Sequence, residues 1–500
     1  MRHGVVAAWA WLEARPVRAL VVCLAFAAAL RLPFVDAPFV DDEGGFLMVA
    51  GQWHERGTAL YTNQWVDRPP LLLLVFRLAY LLGGDFVTVR LILLVVGSLL
   101  IVAAWHAGSV INGARGAVAA AVVAASVSAS FAISGAVLTG EAVAGAFVMV
   151  SCALVLKALA GRHSRRTALL LALVAGSCAS MAFLTKQNFV DAAIFAAVLL
   201  GIESYRAWRL LVSGLVGVVV PLALTVLWAQ SPDGPGLSRF WVAIFHFRKH
   251  SLRVIEHSNL APPLARLGLL AVLFVATGIL FLCWQLIAAA VTRSEGPYAL
   301  RIALVVMLFY ACFSVAAGAS YWSHYLQQFV PVLALGAALA TRRTYRWLGG
   351  HAAATYTALA SVTATAVGVA LVLTGHGPNA GDKVLADFLR TASAPGDSIM
   401  LAYGSPNVIE MSGLTTPYRY SWSLPVRARD PDLTEYVRVL DGKQAPTWLV
   451  EVGDFDWWGI DTPQFQHARA TRYRVVARVC GHDIYLRDGL TRSLPPRPPC

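Results

Sequence analysis

The sequence predicts a polytopic α-helical membrane protein that ends in a small α/β domain. Hydrophobic residues make up 58% of the 500 residues and charged residues only 14%, against roughly 25% charged residues in soluble globular proteins. Long apolar runs recur through residues 1–378, whereas residues 379–500 are polar and mixed. This composition excludes disordered, collagen-like and small disulfide-stabilised proteins.

The apolar runs predict about eleven membrane-spanning helices, since a span needs about 20 residues. The first run, residues 17–34, follows Arg2 and Arg15, carries Arg18 at its start and lacks a small-residue cleavage site. We therefore expect a retained span with a cytoplasmic N-terminus. The other ten runs cover residues 87–111, 117–139, 141–160, 168–185, 189–203, 210–230, 266–291, 301–319, 325–341 and 353–374.

One shorter apolar stretch, residues 71–84, carries Arg77 at its centre. Its 14 residues reach about 21 Å as a helix, short of the roughly 30 Å hydrocarbon core. If it spanned the membrane, the basic loops at 162–166 and 341–346 would lie outside. If it lies on the outer surface, both loops are cytoplasmic, as the positive-inside rule requires. We therefore predict a juxtamembrane helix in the first outer loop.

The net charge of +12 supports this orientation. Residues 379–500 hold 14 basic and 14 acidic side chains, so the excess belongs to residues 1–378, with 26 basic and 14 acidic. In the predicted topology the excess lies at the cytoplasmic ends of the spans. The basic pI is therefore an orientation signal, and we predict no nucleic-acid partner.

The C-terminal segment predicts a separate domain on the outer face, so the chain divides into residues 1–378 and 379–500. Within it, DKVLADFLRTA has a helical pattern, and SIMLAYG, TWLVEV and YRVVARV resemble strands. Five of the seven cysteines lie in predicted spans. The remaining two, Cys480 and Cys500, lie where an oxidising compartment permits a disulfide, and the sequence leaves that bond open.

The first outer loop contains the strongest polar cluster, Asp41, Asp42 and Glu43. Adjacent carboxylates repel one another, so the cluster is either a solvated loop or a general base or ligand site at the membrane surface. Further along, Arg68 precedes two prolines that suit the start of the juxtamembrane helix. Arg68 would reach a lipid phosphate there, or would extend to ordinary headgroups.

Other polar residues are isolated at predicted outer turns. Glu141 is either a first-turn acid of its helix or a functional carboxylate. Lys186 either forms a structural ion pair with Asp191 or is a functional cation in a binding site. His324 and Tyr325 open the tenth span on the same side.

A basic amphipathic segment interrupts the positive-inside pattern at residues 231–265. It carries Arg248, Lys249 and Arg253 among aromatic and apolar residues at helical spacing. The segment would lie at the surface and meet either a substrate anion or anionic headgroups.

The chain has no nucleotide-binding, metalloprotease or hydrolase motif. An activated group would therefore arrive with the substrate, and a lipid carrier fits a polar cluster at the outer leaflet. A transporter or flippase is the alternative, although we detect no internal repeat. A third interpretation is a non-catalytic scaffold whose C-terminal domain binds partners.

The order of these motifs resembles the GT-C glycosyltransferases, in particular the group of protein O-mannosyltransferases and lipid A aminoarabinose transferases. The similarity covers roughly residues 15–340. It rests on Asp42-Glu43, Arg68-Pro69-Pro70, Glu141, Lys186 and His324-Tyr325-Leu326.

The resemblance implies a transferase that uses a polyprenyl-phosphate-linked sugar and a lipid, glycan or protein acceptor, in the plasma (inner) membrane. Asp42 would be the general base or an acceptor-orienting carboxylate, supported by Glu43. In-line displacement assisted by such a base would invert the anomeric centre, and inversion is our own hypothesis. The implied donor-phosphate ligands are Arg68, Lys186, Arg248, Lys249 and Arg253.

The remaining implied substrate-binding residues are Asp41, Glu141, His324 and Tyr325. Asp41 is an additional acid, and Glu141 stands where the group often has aspartate. The resemblance implies no cofactor and leaves open a divalent metal at Asp42 and Glu141.

Overall fold

The computed structural model describes residues 2–53, 59–257, 259–291, 296–341, 350–453 and 463–500. Most of the predicted basic loop at 341–346 lies outside the described residues. The described residues form a large helical region followed by a domain with one small sheet.

Sixteen helices precede the C-terminal domain among the described residues. They are α1 (Arg2–Ala14), α2 (Pro16–Arg31), α3 (Asp41–Gln52), α4 (Pro70–Leu81), α5 (Phe86–Ser128), α6 (Gly140–Leu159), α7 (Arg165–Thr185), α8 (Asp191–Ile202), α9 (Ser204–Gln230), α10 (Leu237–Trp241), α11 (Phe247–Glu256), α12 (Ala261–Ala276), α13 (Ile279–Val291), α14 (Tyr298–Ala317), α15 (Val330–Ala340) and α16 (Gly350–Leu373). A π-helical segment, Val242–His246, joins α10 to α11. Three 3₁₀ segments are Leu32–Phe34, Phe131–Ile133 and Ser323–Phe329.

Seven helices in the described part of the chain are long and apolar enough to cross a membrane. They are Pro16–Phe34, Phe86–Ser128, Gly140–Leu159, Arg165–Thr185, Ala207–Gln230, Tyr298–Ala317 and His351–Leu373. The chain is therefore a multi-pass membrane protein, as the composition predicts.

The longest of these, α5, contains the predicted span at 87–111 and residues 117–128 of the predicted span at 117–139. Its backbone leaves the helical region at Asn112 and Gly113, where Gly113 has φ +56°. A Cβ on Gly108 would lie 2.3 Å from the carbonyl oxygen of Gly116, a proximity that a continuous helix does not allow. The chain therefore turns back on itself, and the runs at 87–111 and 117–139 enter separate helices.

Three other predicted spans are short or broken, so eleven full-length spans are not reproduced in the described residues. The runs at 189–203 and 325–341 give α8 and α15, of 12 and 11 residues. The run at 266–291 divides into α12 and α13 at Gly278, which has φ +82°. In the run at 325–341, the 3₁₀ segment holds the buried amides of Gln327 and Gln328.

The predicted juxtamembrane helix is α4, whose 12 residues are too few for a span. Arg77 donates to the carbonyl oxygens of Ala50 and Gly51 at 2.8 and 2.9 Å. These carbonyls belong to the last turn of α3, where a cation is favourable. The arginine within the apolar stretch therefore connects α4 to α3.

The polar segments separate to the two ends of the helical region. At one end, Glu13 pairs with Arg115 at 3.4 Å and with His351 at 2.8 Å. The segments predicted to be external meet at the other end, where Glu43 binds Arg90. The separation agrees with the parity argument, while the assignment of one end to the cytoplasm stays a prediction.

The C-terminal domain contains a four-stranded sheet in the order β1-β2-β4-β3. Its strands are β1 (Ile399–Ala402), β2 (Trp448–Glu451), β3 (Tyr473–Val479) and β4 (His482–Arg487), and its helices are α17 (Ala380–Ala392), α18 (Pro406–Ser412), α19 (Ser423–Arg429), α20 (Thr434–Asp441) and α21 (Pro463–Arg472). The β1–β2 pair is parallel, and the other two pairs are antiparallel. A disulfide joins Cys480 to Cys500, which settles the bond that the sequence left open.

The domain packs directly on α3 through α18. Asn407 donates its side-chain amide to the carbonyl oxygen of Phe39 at 3.0 Å and to Asp382 at 2.8 Å. Gly44 faces Asn407 so closely that a Cβ there would lie 2.5 Å from the Asn407 Cα. The domain therefore touches the helix that begins with the acidic cluster.

Candidate active site

The acidic cluster forms the first turn of α3, where the helix dipole favours negative charge. The three carboxylates of this turn lie in different environments. Glu43 is fully buried, where it accepts from Arg90 and from the backbone N–H of Leu138. The Asp42 side chain keeps 29% exposure, so it is the better placed of these two to meet a substrate.

Asp42 has partners from both domains. The Trp422 indole N–H donates to Asp42 Oδ1 at 3.2 Å. On the other side, Arg68 Nη2 lies 3.9 Å from Asp42 Oδ2. The Trp422 ring also packs on Phe46, one turn further along α3. The carboxylate is thus oriented by a tryptophan that the C-terminal domain supplies.

Arg68 stands at the entrance to α4, as the two prolines predict, because Pro70 is the first helical residue. Tyr61 holds its backbone by donating to the Arg68 carbonyl oxygen at 2.8 Å. Burial alone would lower the pKa of Arg68, but Asp67 and Asp42 raise it above the ordinary value. The guanidinium is a permanent cation beside Asp42.

Asp67 connects Arg68 to the basic segment of α11. It accepts from the adjacent Arg68 and lies 3.1 Å from Arg248 Nη2. Burial would raise the pKa of Asp67, but the two arginines hold it below its usual range. Asp67 was not among the predicted site residues, although its position beside Arg68 was a usable signal.

A buried ion pair joins Glu141 to Lys186. His324 Nε2 lies 3.5 Å from the same glutamate, and Lys186 Nζ lies 4.8 Å from the centre of the Tyr325 ring. Burial lowers the pKa of His324. The structure brings these four predicted residues together, and the alternative Lys186–Asp191 pair is wrong.

Asp191 instead accepts from the side-chain amide of Gln328, at 3.0 and 3.2 Å. Gln328 also accepts from Asn188, whose amide donates to Ser314 at 2.8 Å. These amides link α8, the 3₁₀ segment and α14 behind the ion pair. Lone amides in apolar runs gave no motif from which the network could have been predicted.

A cavity of about 210 Å³ opens beside the ion pair. Its polar wall is formed by Glu141, Lys186, Gln187, Asn188, Arg248 and Tyr325. Its apolar wall comes largely from α14 and includes Phe313, whose side chain is 66% exposed on the flank of the bundle. The cavity thus joins cationic groups to a surface that faces the predicted hydrocarbon region.

The predicted basic segment contributes one of its three named cations to this cavity. Arg248 lines the wall, while Lys249 and Arg253 lie on the exposed face of α11. Ser251 and Ile255 occupy the buried face of the same helix. Their roles as phosphate ligands stay predictions.

Asp41 precedes Asp42 in the first turn of α3 and lies within the electrostatic influence of Asp382 in α17. It keeps contact with solvent, but packed protein atoms remove part of its hydration. Desolvation, followed by the charges of Asp382 and Asp42, raises the pKa of Asp41 to about 7. Asp41 is therefore the acid of the cluster that titrates near neutrality.

The residues at the proposed metal position do not fit a bound cation. Glu141 is neutralised by Lys186, and Asp42 faces Arg68 and the Trp422 N–H. Within the described ranges, no group of three or more His, Cys, Asp or Glu side chains is arranged to hold a metal ion. We derive no step through a metal.

Two contributors to the site carried different signals in the sequence. Arg90 was detectable, because it is the one cation within the apolar run at 87–111, and intramembrane charges usually have a partner. Trp422 carried no such signal, since it lies 380 residues from Asp42 in a domain without a recognisable motif.

Solved structures with the same arrangement of helices were found. ArnT from Cupriavidus metallidurans bound to undecaprenyl phosphate matches with a TM-score of 0.62 and 15% identity over 93% of this chain and 97% of that one. The Archaeoglobus fulgidus oligosaccharyltransferase in complex with zinc and sulfate matches with a TM-score of 0.57 and 14% identity, over 87% and 67% of the two chains.

A third match is the archaeal oligosaccharyltransferase AglB from A. fulgidus, in complex with an inhibitory peptide and a dolichol-phosphate. Its TM-score is 0.55 with 14% identity, over 96% of this chain and 75% of that one. No family model matches the sequence, and no curated protein matches it. The likeness is therefore one of structure, and it shows that the chain shares the fold of these three proteins.

Proposed function

We propose that the protein is an integral-membrane glycosyltransferase that moves a sugar from a polyprenyl-phosphate donor to an acceptor on the outer face of the membrane. One observation carries the proposal: the cavity beside Lys186 and Arg248 combines a cationic wall with an apolar wall that opens on the flank of the bundle. Such a cavity suits a molecule that joins a phosphate to a long hydrocarbon chain.

The donor phosphate would be bound by cations that neighbouring carboxylates already hold in position. Arg248 and Arg68 are fixed by Asp67, and an arginine keeps further N–H groups for an anion after one is engaged. Lys186 is fixed by Glu141 in the same way. Negative charge grows on the phosphate as the sugar departs, and preorganised cations stabilise it most at that stage.

The acceptor hydroxyl would meet Asp42, which lies beside Arg68. A general base must lie within about 3 Å of the proton that it removes, and Asp42 is the partly exposed carboxylate next to the proposed leaving group. Trp422 would orient the carboxylate through its indole N–H. Attack from the side opposite the phosphate inverts the anomeric centre, and detection of the retained anomer in the product would contradict this mechanism.

The related folds support the class of donor. The ArnT structure contains undecaprenyl phosphate and the AglB structure contains a dolichol-phosphate. We extend the polyprenyl-phosphate carrier to this chain, together with a lipid, glycan or protein acceptor. The predicted setting is the plasma membrane, with residues 379–500 outside the cytoplasm.

Donor binding is tested with undecaprenyl phosphate on the purified full-length protein. Arg248→Gln is expected to weaken binding about tenfold or more, because a charge-assisted bond to phosphate contributes about 1.5–3 kcal/mol. Arg239→Gln is the matched control, since it removes an exposed arginine charge from α10, in the same basic segment. Equal losses in the two variants would contradict a specific phosphate site.

Turnover is tested by the release of free polyprenyl phosphate from a panel of polyprenyl-phosphate sugars in membranes. Asp42→Asn is expected to reduce release by about 10²–10⁴-fold, the usual contribution of a general base. Asp36→Asn is the control, because Asp36 is an exposed acid of the same loop. Unchanged release by correctly folded Asp42→Asn protein would remove Asp42 from the mechanism.

A further inference from the structure

A groove of about 640 Å³ opens at the end of the helical region opposite the candidate active site. It lies between the first half of α5 and the last turns of α6, with the loop that follows α6. His106 comes 16 residues after Arg90 on α5, and Lys157 comes 16 residues after Glu141 on α6. Each is therefore about 24 Å along its helix from the active-site end.

The rim of the groove is basic. Lys157 and Arg162 line it together with His106 and His163, and none of its described lining residues is an aspartate or a glutamate. A separate cavity, which contains Glu203, shares only Val110 and Ala160 with the groove among the described lining residues. The groove therefore presents uncompensated positive charge.

The floor of the groove is apolar and opens toward the flank of the helical bundle. It is formed mainly by Leu99, Val102, Ala103, Val150, Ala153 and Leu154. Leu99 is 45% exposed, and Val95, one turn before it in α5, is 70% exposed. The apolar surface thus continues from the groove along the flank that the bilayer would cover.

The short connection between α6 and α7 holds the basic rim in place. Gly161 adopts φ +68° directly after α6 ends. Ser164 then caps α7 by accepting from the backbone N–H of Thr167 at 3.3 Å. Arg162 consequently faces the groove, whereas the next two arginines, Arg165 and Arg166, belong to α7 and do not line it.

We propose that this groove binds an anionic glycerophospholipid, with its phosphate at Lys157 and Arg162 and an acyl chain along Leu99 and Leu154. Basic pockets between transmembrane helices recognise anionic headgroups through charge and hydrogen bonding. A free phosphate would use the rim alone, whereas a phospholipid uses the rim and the floor together. The site lies at the opposite membrane face from the proposed transferase chemistry and does not depend on it.

The test uses the full-length protein in phosphatidylcholine nanodiscs that contain increasing amounts of phosphatidylglycerol, with retained lipid counted by native mass spectrometry. The variant Lys157→Gln/Arg162→Gln is expected to weaken phosphatidylglycerol retention about thirtyfold, or roughly fivefold for each cation. The matched control Arg165→Gln/Arg166→Gln removes two charges from the same basic stretch and is expected to retain the lipid. An equal loss in both double variants, or no loss in the first, would overturn the proposal.

A second variant tests the floor without changing the charge. Val102→Trp fills the groove beneath the cations and is expected to reduce retention. Val174→Trp, on the exposed flank of α7 and outside the groove, is expected to leave retention unchanged. Soluble glycerol phosphate is added to compete in a parallel series. Full retention by Val102→Trp, or displacement of the lipid by glycerol phosphate at equal concentration, would overturn a phospholipid site.

Discussion

Buried ion pairs lie directly behind the candidate active site and fix its backbone. Glu43 has no exposed surface and joins the start of α3 to Arg90 and to the backbone of Leu138. Removing one member of such a pair leaves an uncompensated charge in a low-dielectric setting. The resemblance implied a supporting role for Glu43 in catalysis. Because Glu43 is buried, we expect it to act by fixing the position of the helix turn that carries Asp42.

Glu43→Gln is expected to destabilise the protein by about 3–5 kcal/mol, because it strands the Arg90 charge. The measurement is the thermal denaturation midpoint of the purified protein in detergent. Glu256→Gln, an exposed acid at the end of α11, serves as the control. The double variant Glu43→Gln/Arg90→Met is expected to recover part of the loss, and an unchanged midpoint for Glu43→Gln would contradict the prediction.

Asp41 predicts a dependence of stability on pH. Its pKa in the folded protein is raised to about 7, so the folded state binds more protons than the unfolded state between the ordinary aspartate pKa and neutrality. Stability therefore falls as the pH rises through this window, since the ionised group is poorly hydrated and also meets the charges of Asp382 and Asp42. Denaturation midpoints at about pH 5 and about pH 8 measure the fall.

Asp41→Asn is expected to reduce that pH dependence, and Asp36→Asn is expected to leave it as in the wild type. Asp36 is an exposed acid of the same loop, so it tests the effect of charge removal alone. The prediction would be contradicted if the wild-type midpoint rose between the two pH values and Asp41→Asn showed the same rise. Another group would then determine the pH dependence of stability.

Sequence patterns identified individual site residues better than they identified partners. Isolated charges at predicted outer turns drew attention to Glu141 and Lys186, and the structure joins them. Their pairing was not predictable, because an equally plausible partner, Asp191, lay five residues from the lysine. Contacts between residues far apart in the chain depend on tertiary packing. The local spacing of residues in a single sequence does not reveal that packing.

At the scale of elements, α3 is held from two sides. Arg77 of α4 binds carbonyl oxygens at its C-terminal end, and α18 packs against its N-terminal end. Gly44 and Gly45 face the C-terminal domain, and a Cβ on Gly45 would lie 2.2 Å from the Trp422 ring. The small residues in α3 therefore allow the domain to reach Asp42.

Gly44→Ala is expected to loosen the docking of the C-terminal domain. Alanine would ordinarily favour a helix over glycine by about 1 kcal/mol, so any loss must come from the contact with Asn407. The new Cβ would meet the Asn407 Cα, a backbone atom that cannot turn away. Increased protease cleavage between α16 and α17 reports the loosening.

Gly201→Ala is the matched control for this variant, because nothing lies within 4 Å of a Cβ at Gly201 in α8. It is expected to leave cleavage unchanged. If Gly44→Ala and Gly201→Ala were cleaved at the wild-type rate, the close approach of α18 to α3 would not govern docking.

Length and turn chemistry explain which elements were predictable. The stretch at 71–84 was too short to span, and α4 is correspondingly short. Apolar runs alone did not reveal the breaks, because hydropathy averages over residues such as Gly278 whose backbone ends a helix. The number of predicted spans therefore exceeded the number of long helices in the described chain.

At the scale of the whole molecule, the polar segments are sorted to two ends. The end that carries the candidate active site also carries the C-terminal domain, whose disulfide suits an oxidising compartment. The other end carries the basic groove. The orientation that places the disulfide-bonded domain outside stays a prediction.

A reporter tests that orientation directly. Alkaline phosphatase fused after Ala380 is expected to be active, because the enzyme folds only outside the cytoplasm. The same reporter fused after Arg162, in the predicted cytoplasmic loop, is expected to be inactive. The reverse pattern would place the proposed transferase site on the cytoplasmic face and overturn the positive-inside assignment.

The contact between Trp422 and Asp42 has a consequence for domain exchange. A chimera that carries the C-terminal domain of a protein of similar fold, without a tryptophan at the position of Trp422, would keep every helix of the membrane region. Its acidic helix would nevertheless lose the indole that orients Asp42. Compatible exchange would need Gly44, Gly45, Asn407 and Trp422 to be transferred as one set. The unit that can be recombined in this protein is therefore the interface together with the domain.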